Sequence, residues 1–217
     1  MKTKINEIFS SIQGEGPVVG YKQLFIRFCG CNLKCSYCDT DFADGKEFTP
    51  QELYTKITTE YNLETFHSIS LTGGEPLLSA EFLQEFLPLI KGKTKIYLET
   101  NATLADKLPL IKDYIDIISA DIKLALNPKI HQEFFEQCRG IQTFAKIVFD
   151  ENISDKNIEE CINLGHQFNL ELILQPKMDG YNMTVSSEFC NKILDKFTSF
   201  YPNVRLIPQV HKFLDVR

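Results

Sequence analysis

The sequence predicts an α/β fold in which parallel strands and helices alternate as a right-handed barrel, complete or partial. Short apolar runs rich in β-branched residues recur along the chain, as expected of strands buried on both faces. Amphipathic stretches separate these runs, and an alternation repeated about six times indicates right-handed crossovers. The 217 residues are 43% hydrophobic and 24% charged, which fits a single domain over residues 1–217.

Six apolar runs are predicted to be strands, and a seventh near the C-terminus is a weaker candidate. We expect the first run to lead into a cysteine-rich loop, with Cys29 at its end. The six runs are 23–28, 68–71, 95–99, 115–120, 145–149 and 170–174, and the seventh is 204–207.

Capping signals mark the predicted helices between the strands. Thr49-Pro50-Gln51-Glu52 is a capping box with proline at the first helical position, so a helix should begin there. Serine oxygens can cap further helices by accepting from backbone N–H groups of the first turn. These helices are 80–90 after Ser79, 155–168 after Ser154, and 188–200 after Ser186 or Ser187.

Composition and charge exclude several classes of partner. The formal net charge is −6 and basic residues do not cluster, which argues against a nucleic-acid partner. No apolar segment reaches the length of a membrane span, and the N-terminus lacks the apolar region of a signal peptide, so no membrane partner is expected. Cys138, Cys161 and Cys190 are scattered among seven cysteines without a disulfide pattern. We expect them to be core residues of a cytoplasmic protein.

The central pattern is the stretch Cys31-Asn-Leu-Lys-Cys35-Ser-Tyr-Cys38, which places three thiols within eight residues. A turning loop can point all three at one centre. A closed zinc site and a fully protein-bound four-iron cluster each need four protein ligands, so three thiols leave one position open. A zinc loop or unrelated buried thiols are the alternatives, but zinc needs a fourth ligand at compatible spacing.

This cysteine spacing resembles that of the radical S-adenosylmethionine (radical SAM) enzymes. The resemblance implies that Cys31, Cys35 and Cys38 hold a [4Fe-4S] cluster whose open iron binds SAM. In that family an electron from the cluster cleaves SAM and yields a 5′-deoxyadenosyl radical. The resemblance also implies a partial or modified (β/α)6 radical SAM barrel.

Polar residues follow the predicted strands, where the chemistry of such barrels lies. Thr72-Gly73-Gly74-Glu75-Pro76 follows the second predicted strand and matches the GGEP motif of radical SAM enzymes. The alternative is an ordinary strand-to-helix turn, since glycine pairs are common. The resemblance implies that this backbone and Glu75 meet the methionine amino group of SAM. The residues it assigns to SAM are Tyr37, Cys38, Asp39, Gly74, Glu75, Asn101, Asp121, Lys123 and Gln175.

The most specific pattern combines Ser-x-Gln-Gly-Glu-Gly at 11–16 with Arg27, Cys38-Asp39-Thr40 and Pro208-Gln209-Val210-His211. The combination resembles the 7-carboxy-7-deazaguanine synthase family, radical SAM enzymes of the pathway to queuosine and other 7-deazapurines. The alternative for the N-terminal part is a flexible turn. The family's substrate is 6-carboxy-5,6,7,8-tetrahydropterin, a small molecule. The resemblance assigns substrate contacts to Ile12, Gln13, Gly14, Glu15, Arg27 and Thr72.

The chemistry of this substrate suits the assigned residues. A carboxylate calls for a fixed guanidinium fork, which Arg27 can supply beside the cysteine loop. A pterin edge presents donors and acceptors, for which Ile12-Gln13-Gly14 offers backbone groups and one amide. Thr40 resembles the family's Mg²⁺ ligand, and one protein oxygen is normal for magnesium.

The resemblance implies a radical ring contraction in which hydrogen leaves carbon six, ammonia is lost, and SAM is regenerated. It also implies an electron donor such as flavodoxin or ferredoxin, and a homodimer. The alternatives are a glycyl-radical enzyme activating enzyme and a non-catalytic iron–sulfur or zinc module. This chain departs from some relatives by having Asp121-Ile122-Lys123 in place of Ser-Pro-Lys, and by continuing for nine residues after Pro208.

Overall fold

A computed structural model describes residues 1–35 and 44–216. The described chain forms a nine-stranded sheet and a separate two-stranded ribbon. The strands are β1 Thr3–Ile12, β2 Lys22–Phe28, β3 Lys46–Phe48, β4 Ser68–Gly73, β5 Lys95–Thr100, β6 Ile117–Asp121, β7 Gln142–Phe149, β8 Glu171–Pro176, β9 Met178–Asp179, β10 Asn182–Met183 and β11 Val204–Leu206. The helices are α1 Pro50–Glu60, α2 Ala80–Ile90, α3 Pro128–Gln137, α4 Asp155–Phe168, α5 Ser187–Thr198 and α6 Val210–Phe213.

The large sheet has the order β11-β8-β7-β6-β5-β4-β2-β1-β3, so its edge strands are β11 and β3. Neighbours from β2 to β11 pair in parallel, whereas β1 pairs antiparallel with β2 and β3. The prediction of a partial α/β barrel is confirmed. In the described part of the chain, no helix is both long and apolar enough to cross a membrane.

The predicted strands are confirmed with small shifts at their ends, and the seventh candidate is present as β11. Among the described residues, six strands and helices were not predicted: β1, β3, β9, β10, α3 and α6. The crossover between β5 and β6 has two 3-10 turns in place of a helix, Leu108–Leu110 and Lys112–Tyr114. Pro109 lies within the first turn, and proline removes a backbone donor that a longer helix would need.

Three of the predicted caps are confirmed. Thr49 forms the capping box with Glu52, Ser154 caps α4, and Ser186 rather than Ser187 caps α5. The prediction that Ser79 caps α2 is wrong, because its hydroxyl bonds to that of Thr3 at 2.7 Å and makes no cap bond. A 3-10 turn, Pro76–Ser79, already leads into this helix.

The apolar core lies between the sheet and the helices, and a second cluster lies on the inner face of the sheet. Cys138, Cys161 and Cys190 are buried, as expected of core residues. Burial raises the pKa of the Cys138 and Cys161 thiols to about 12, which leaves them protonated and unreactive. The inner cluster consists of Val18, Tyr97, Ile117, Phe144 and Ile173.

The inner cluster forms a floor for the polar residues that follow it. Side chains alternate between the two faces of a strand. The residue two positions after each strand member of the inner cluster therefore points to the same side of the sheet as the cluster. These residues are Glu99, Ser119, Lys146 and Gln175. The apolar floor and the parallel register therefore gather polar side chains from four strands at one end of the sheet.

Candidate functional site

A cavity of about 390 Å³ opens at the carboxyl ends of the parallel strands. The N-terminal loop, the cysteine loop and the C-terminal segment complete its wall. All six residues predicted to bind substrate line it: Ile12, Gln13, Gly14, Glu15, Arg27 and Thr72. Of the residues predicted to bind SAM, five line it: Gly74, Asn101, Asp121, Lys123 and Gln175.

Two of the three cysteines predicted to hold the cluster, Cys31 and Cys35, line the same cavity. The Cys31 sulfur accepts from the Leu33 N–H at 3.4 Å and lies 3.8 Å from the Asn101 side-chain nitrogen. Hydrogen bonds to the sulfur ligands are a usual feature of iron–sulfur sites, so this loop fits an iron–sulfur ligand. Tyr37, Cys38, Asp39 and Thr40 lie outside the described residues, and their assigned roles stay predictions.

The glycine pair after β4 lets two backbones approach closely. A Cβ on Gly74 would lie 1.7 Å from the carbonyl oxygen of Gly30. The N–H of Glu75 donates to that same oxygen at 2.9 Å. Gly73 has a φ of +121°, which side-chain-bearing residues rarely adopt. The glycines therefore hold the GGEP turn against the start of the cysteine loop and leave the Gly74 backbone at the cavity.

The Glu75 carboxylate is bonded within the protein, and its predicted contact with SAM stays a prediction. This side chain is fully buried and does not form part of the cavity wall. Its carboxylate accepts from Leu77 N–H at 3.0 Å, Thr100 Oγ1 at 2.9 Å and Asn101 N–H at 2.7 Å. Burial raises its pKa to about 7 against the lowering effect of those donors. Glu75 therefore stabilises the end of β5 and the loop after it through its hydrogen bonds to Thr100 and Asn101.

The loop after β5 is tied to the cysteine loop by side-chain amides. Asn101 Nδ2 donates to Asn32 Oδ1 at 2.8 Å, and Asn101 Oδ1 accepts from the Thr103 hydroxyl at 2.6 Å. Asn32 Nδ2 donates in turn to Thr103 Oγ1 at 2.9 Å. Asn101 thus fixes the position of the cysteine loop while lining the cavity, and its predicted contact with SAM stays a prediction.

The Gln13 side chain is also bonded within the protein. It is buried, and its amide nitrogen donates to Gln23 Oε1 at 3.0 Å and to Glu99 Oε1 at 2.9 Å. Its amide oxygen accepts from the Glu15 N–H at 2.9 Å. These bonds use both donors of the amide and leave one lone pair on its oxygen, so the predicted contact of Gln13 with the substrate stays a prediction. Glu99 also accepts from the Thr72 hydroxyl at 2.7 Å and was not singled out from the sequence.

A charge cluster lies beside the N-terminal loop, around the Lys146 ammonium. Lys146 forms ion pairs with Glu15 and, at 3.2 Å, with Asp121. Asp121 also accepts from Lys123 Nζ at 2.8 Å. Burial disfavours ionisation here, yet Lys146 lowers the pKa of Glu15, and Lys123 with Lys146 lowers that of Asp121. Burial alone would lower the Lys146 pKa, but Asp121, Glu15 and Glu99 raise it well above its usual value. All three groups are charged at neutral pH.

Lys146 was not identified from the sequence. A lysine inside an apolar strand could have been the signal, since a buried lysine needs a charged partner. Gln175 donates to Glu15 Oε1 at 3.2 Å, and its own amide oxygen is buried without a hydrogen-bond partner among the described residues. Such an atom in a cavity wall fits a ligand that brings a donor.

Arg27 is held by a partner that sequence reasoning also missed. Its Nε donates to Glu7 Oε1 at 2.8 Å, and its guanidinium lies 5.5 Å from the centre of the Phe9 ring. Both partners come from β1, which pairs with the strand that carries Arg27. The guanidinium is therefore fixed at the cavity wall.

The C-terminal segment covers the N-terminal loop. The Val210 N–H donates to the Gly14 carbonyl oxygen at 2.8 Å, and the Gln209 amide donates to Glu15 Oε1 at 2.7 Å. A Cβ on Gly14 would lie 2.1 Å from His211 Nδ1, so only glycine fits under that ring. The residues after Pro208 therefore hold the Gly14–Glu15 turn in place.

Comparisons with known proteins agree with this site. The Radical SAM superfamily matches residues 25–148. A protein named 7-carboxy-7-deazaguanine synthase from Geobacter sulfurreducens is 32% identical over 97% of this chain and 96% of its own length. A namesake from Archaeoglobus fulgidus is 33% identical over 100% of both chains. The solved structure of QueE from Escherichia coli has a TM-score of 0.68 and 21% identity over 97% of this chain and 95% of that chain, and so supports the fold.

Proposed function

Since this chain belongs to the 7-carboxy-7-deazaguanine synthase family of radical SAM enzymes, we propose that it converts 6-carboxy-5,6,7,8-tetrahydropterin to 7-carboxy-7-deazaguanine with loss of ammonia. The observation that carries the proposal is one cavity that brings the cysteine loop together with the N-terminal loop and Arg27. A volume of about 390 Å³ is in the range of small-molecule sites. A glycyl-radical enzyme activating enzyme would instead act on a protein segment.

The cofactors of this family are a [4Fe-4S] cluster and SAM, which together supply the radical chemistry when bound. We assign the cluster to Cys31 and Cys35, together with Cys38. The rest of the site binds and orients. Gly74 offers its backbone, Gln175 its unpartnered amide oxygen, and the other SAM contacts are assigned to Tyr37, Cys38, Asp39, Asn101, Asp121 and Lys123.

Substrate positioning is assigned to the opposite side of the cavity. Arg27, fixed by Glu7, is placed to meet the substrate carboxylate. The Thr72 hydroxyl donates to Glu99 and retains acceptor capacity for a pterin N–H. Carboxylate oxygens carry two lone pairs each, so Glu15 can accept from the pterin while it holds Lys146. Backbone groups of Ile12 and Gly14 complete the set.

Other parts of the proposal concern ions, partners and location. Mg²⁺ is assigned to Thr40, with substrate oxygens and waters completing a near-octahedral arrangement. A flavodoxin or ferredoxin as electron donor, a homodimer and a cytoplasmic location stay predictions from family resemblance.

Anaerobic reconstitution with iron and sulfide, followed by incubation with SAM, dithionite, Mg²⁺ and the carboxytetrahydropterin, tests the proposal. We expect a product with the mass of 7-carboxy-7-deazaguanine. Cys35→Ala should abolish both the product and SAM cleavage, whereas the matched core variant Cys190→Ala should retain both. Product formation by Cys35→Ala, or SAM cleavage by wild type without any deazaguanine, would contradict the proposal.

A further inference from the structure

We propose that His131 on α3 is a positioning residue that locks together the two loops assigned to SAM, after β5 and after β6. The proposal rests on the proposed function for the ligand that those loops bind. His131 is 1% exposed and does not line the cavity, so it acts through its neighbours.

The imidazole ring bridges the two loops. Its Nε2 lies 3.0 Å from the backbone nitrogen of Lys123, and its Nδ1 lies 3.1 Å from the carbonyl oxygen of Ala102. Lys123 belongs to the charge cluster, and Ala102 directly follows Asn101, which is bonded to the cysteine loop. One side chain therefore sets the spacing between two walls of the cavity.

The two partners fix the protonation state of the ring. The Lys123 N–H can only donate, so Nε2 must accept and carries no proton. The Ala102 carbonyl can only accept, so Nδ1 must carry the proton. His131 is therefore a neutral imidazole in one tautomer. Adding a proton at Nε2 would place two N–H groups against each other and break the bond to Lys123.

The bond to Ala102 supports an unusual backbone conformation. Ala102 is buried and has a φ of 55°, in the left-handed region that residues with a Cβ avoid. Its neighbours Asn101 and Thr103 both point to Asn32 of the cysteine loop. Holding the Ala102 carbonyl therefore holds the turn that directs two side chains at this loop.

Charged groups near the ring come from three elements. Asp121 lies in β6, Lys123 follows it, and Glu160 of α4 borders a small pocket shared with His131. Burial lowers the pKa of His131, the Ala102 carbonyl opposes that effect, and the charge of Lys123 adds to it. Neutral His131 is thus favoured at physiological pH, in agreement with the tautomer that the contacts require.

Two variants separate the two contacts. In His131→Gln the side-chain oxygen can reach the place of Nε2 and accept from Lys123, while the donor to Ala102 is lost. In His131→Asn the amide can replace Nδ1 and donate to Ala102, while the acceptor for Lys123 is lost. His166→Gln is the matched control, because that exposed ring contacts a carbonyl oxygen far from the cavity.

We expect each His131 variant to raise the SAM Kd by about tenfold, the scale of one buried hydrogen bond. Iron content and helicity should match those of wild type, and the electron paramagnetic resonance signal of the SAM-bound reduced cluster should change. His166→Gln should leave the SAM Kd unchanged. Ala102→Gly removes the penalty for the positive φ at position 102. When it is combined with His131→Gln, which loses the bond to Ala102, it should restore much of the lost SAM affinity. When it is combined with His131→Asn, which keeps that bond, it should restore none.

The pH profile gives a second readout. Wild-type SAM affinity should fall on the acid side as His131 is protonated, and the fall should be smaller in His131→Gln, which keeps only the part due to Glu75, whose pKa is about 7. SAM affinity within twofold of wild type in both variants with full iron content, or an acid limb of unchanged size in His131→Gln, would overturn the proposal. SAM binding that depends on His131 in a protein that makes no deazaguanine would support this inference and refute only the proposed function.

Discussion

Replacing Lys146 by methionine should destabilise the protein strongly, because it removes the cation from a buried charge cluster. The Lys146 side chain is 11% exposed, and those of Glu15 and Asp121 are 16% and 20% exposed. Methionine keeps most of the length and loses the ammonium. Removing one partner of a buried pair costs about 3–5 kcal/mol. Asp121 keeps Lys123 at 2.8 Å, so we expect a loss near the lower limit, about 3 kcal/mol.

Urea denaturation of the reconstituted protein under anaerobic conditions measures this loss. With an m-value of about 2.5 kcal/mol per M, a loss of about 3 kcal/mol lowers the midpoint by about 1.2 M. The control is Lys196→Met, which breaks an exposed pair with Asp155 at 2.5 Å whose side chains are 40% and 86% exposed. That change should cost less than about 1 kcal/mol.

The pH dependence has opposite signs in the two proteins. In wild type the pKa values of Glu15 and Asp121 are lowered by folding. Their contribution to the unfolding free energy is therefore present above the unfolded-state pKa values and is lost as the pH falls through the folded-state values. In Lys146→Met, burial of Glu15 without its main cation raises that pKa, so the variant gains stability as the pH falls. The difference in unfolding free energy should therefore shrink between about pH 7.5 and pH 5.5. A constant difference, or one below about 1 kcal/mol, would refute the reasoning.

Two further changes test the cysteine loop and the substrate side of the cavity. Gly74→Ala should prevent normal cluster assembly, since its Cβ would lie 1.7 Å from the Gly30 carbonyl oxygen. The control Gly92→Ala adds only the local strain of a φ of +79°, with nothing within 4 Å of its Cβ, and should keep full iron content. Equal iron content in both variants would contradict this reasoning. Arg27→Lys keeps the charge but loses the planar fork and the Nε bond to Glu7, so substrate affinity should fall by about 1–3 kcal/mol while SAM cleavage persists. An unchanged substrate Kd in Arg27→Lys would place the carboxylate elsewhere.

The fold was predictable where local patterns decide it and less so elsewhere. Apolar β-branched runs predicted the parallel strands, because such strands are buried on both faces. Strand β1 was missed because it lies near the antiparallel edge, and polar pairs, Asn6-Glu7 and Ser10-Ser11, interrupt its apolar residues. Helix α3 had a usable signal, since Asn127 is an N-cap and Pro128 follows it at the first helical position.

The site was predictable in its position and less so in its bonding. Of the residues that the resemblance assigns to substrate and SAM, eleven line one cavity, because strand ends in a parallel sheet share an edge. The hydrogen-bond partners were not predictable, because they are far apart in the sequence. Glu15 bonds to Lys146, 131 positions away, and to Gln209, 194 positions away. Sequence reasoning likewise assigned Glu75 to the ligand, although the structure uses its carboxylate to hold a loop.

Along the inner face of the sheet, apolar residues give way to polar ones. This change explains why so many hydrogen bonds at the site join one protein group to another. Tyr97, Phe144 and Ile173 form an apolar floor, and two positions later the strands carry Glu99, Lys146 and Gln175. Polar groups buried directly above such a floor need partners, or each costs about 1–3 kcal/mol. Residues 13–15 supply many of those partners, which is why this loop is both part of the cavity wall and part of the folded core. A change in the loop should therefore alter stability and binding together, whereas a change at an atom left unpartnered, such as the Gln175 amide oxygen, can alter binding with less effect on the fold.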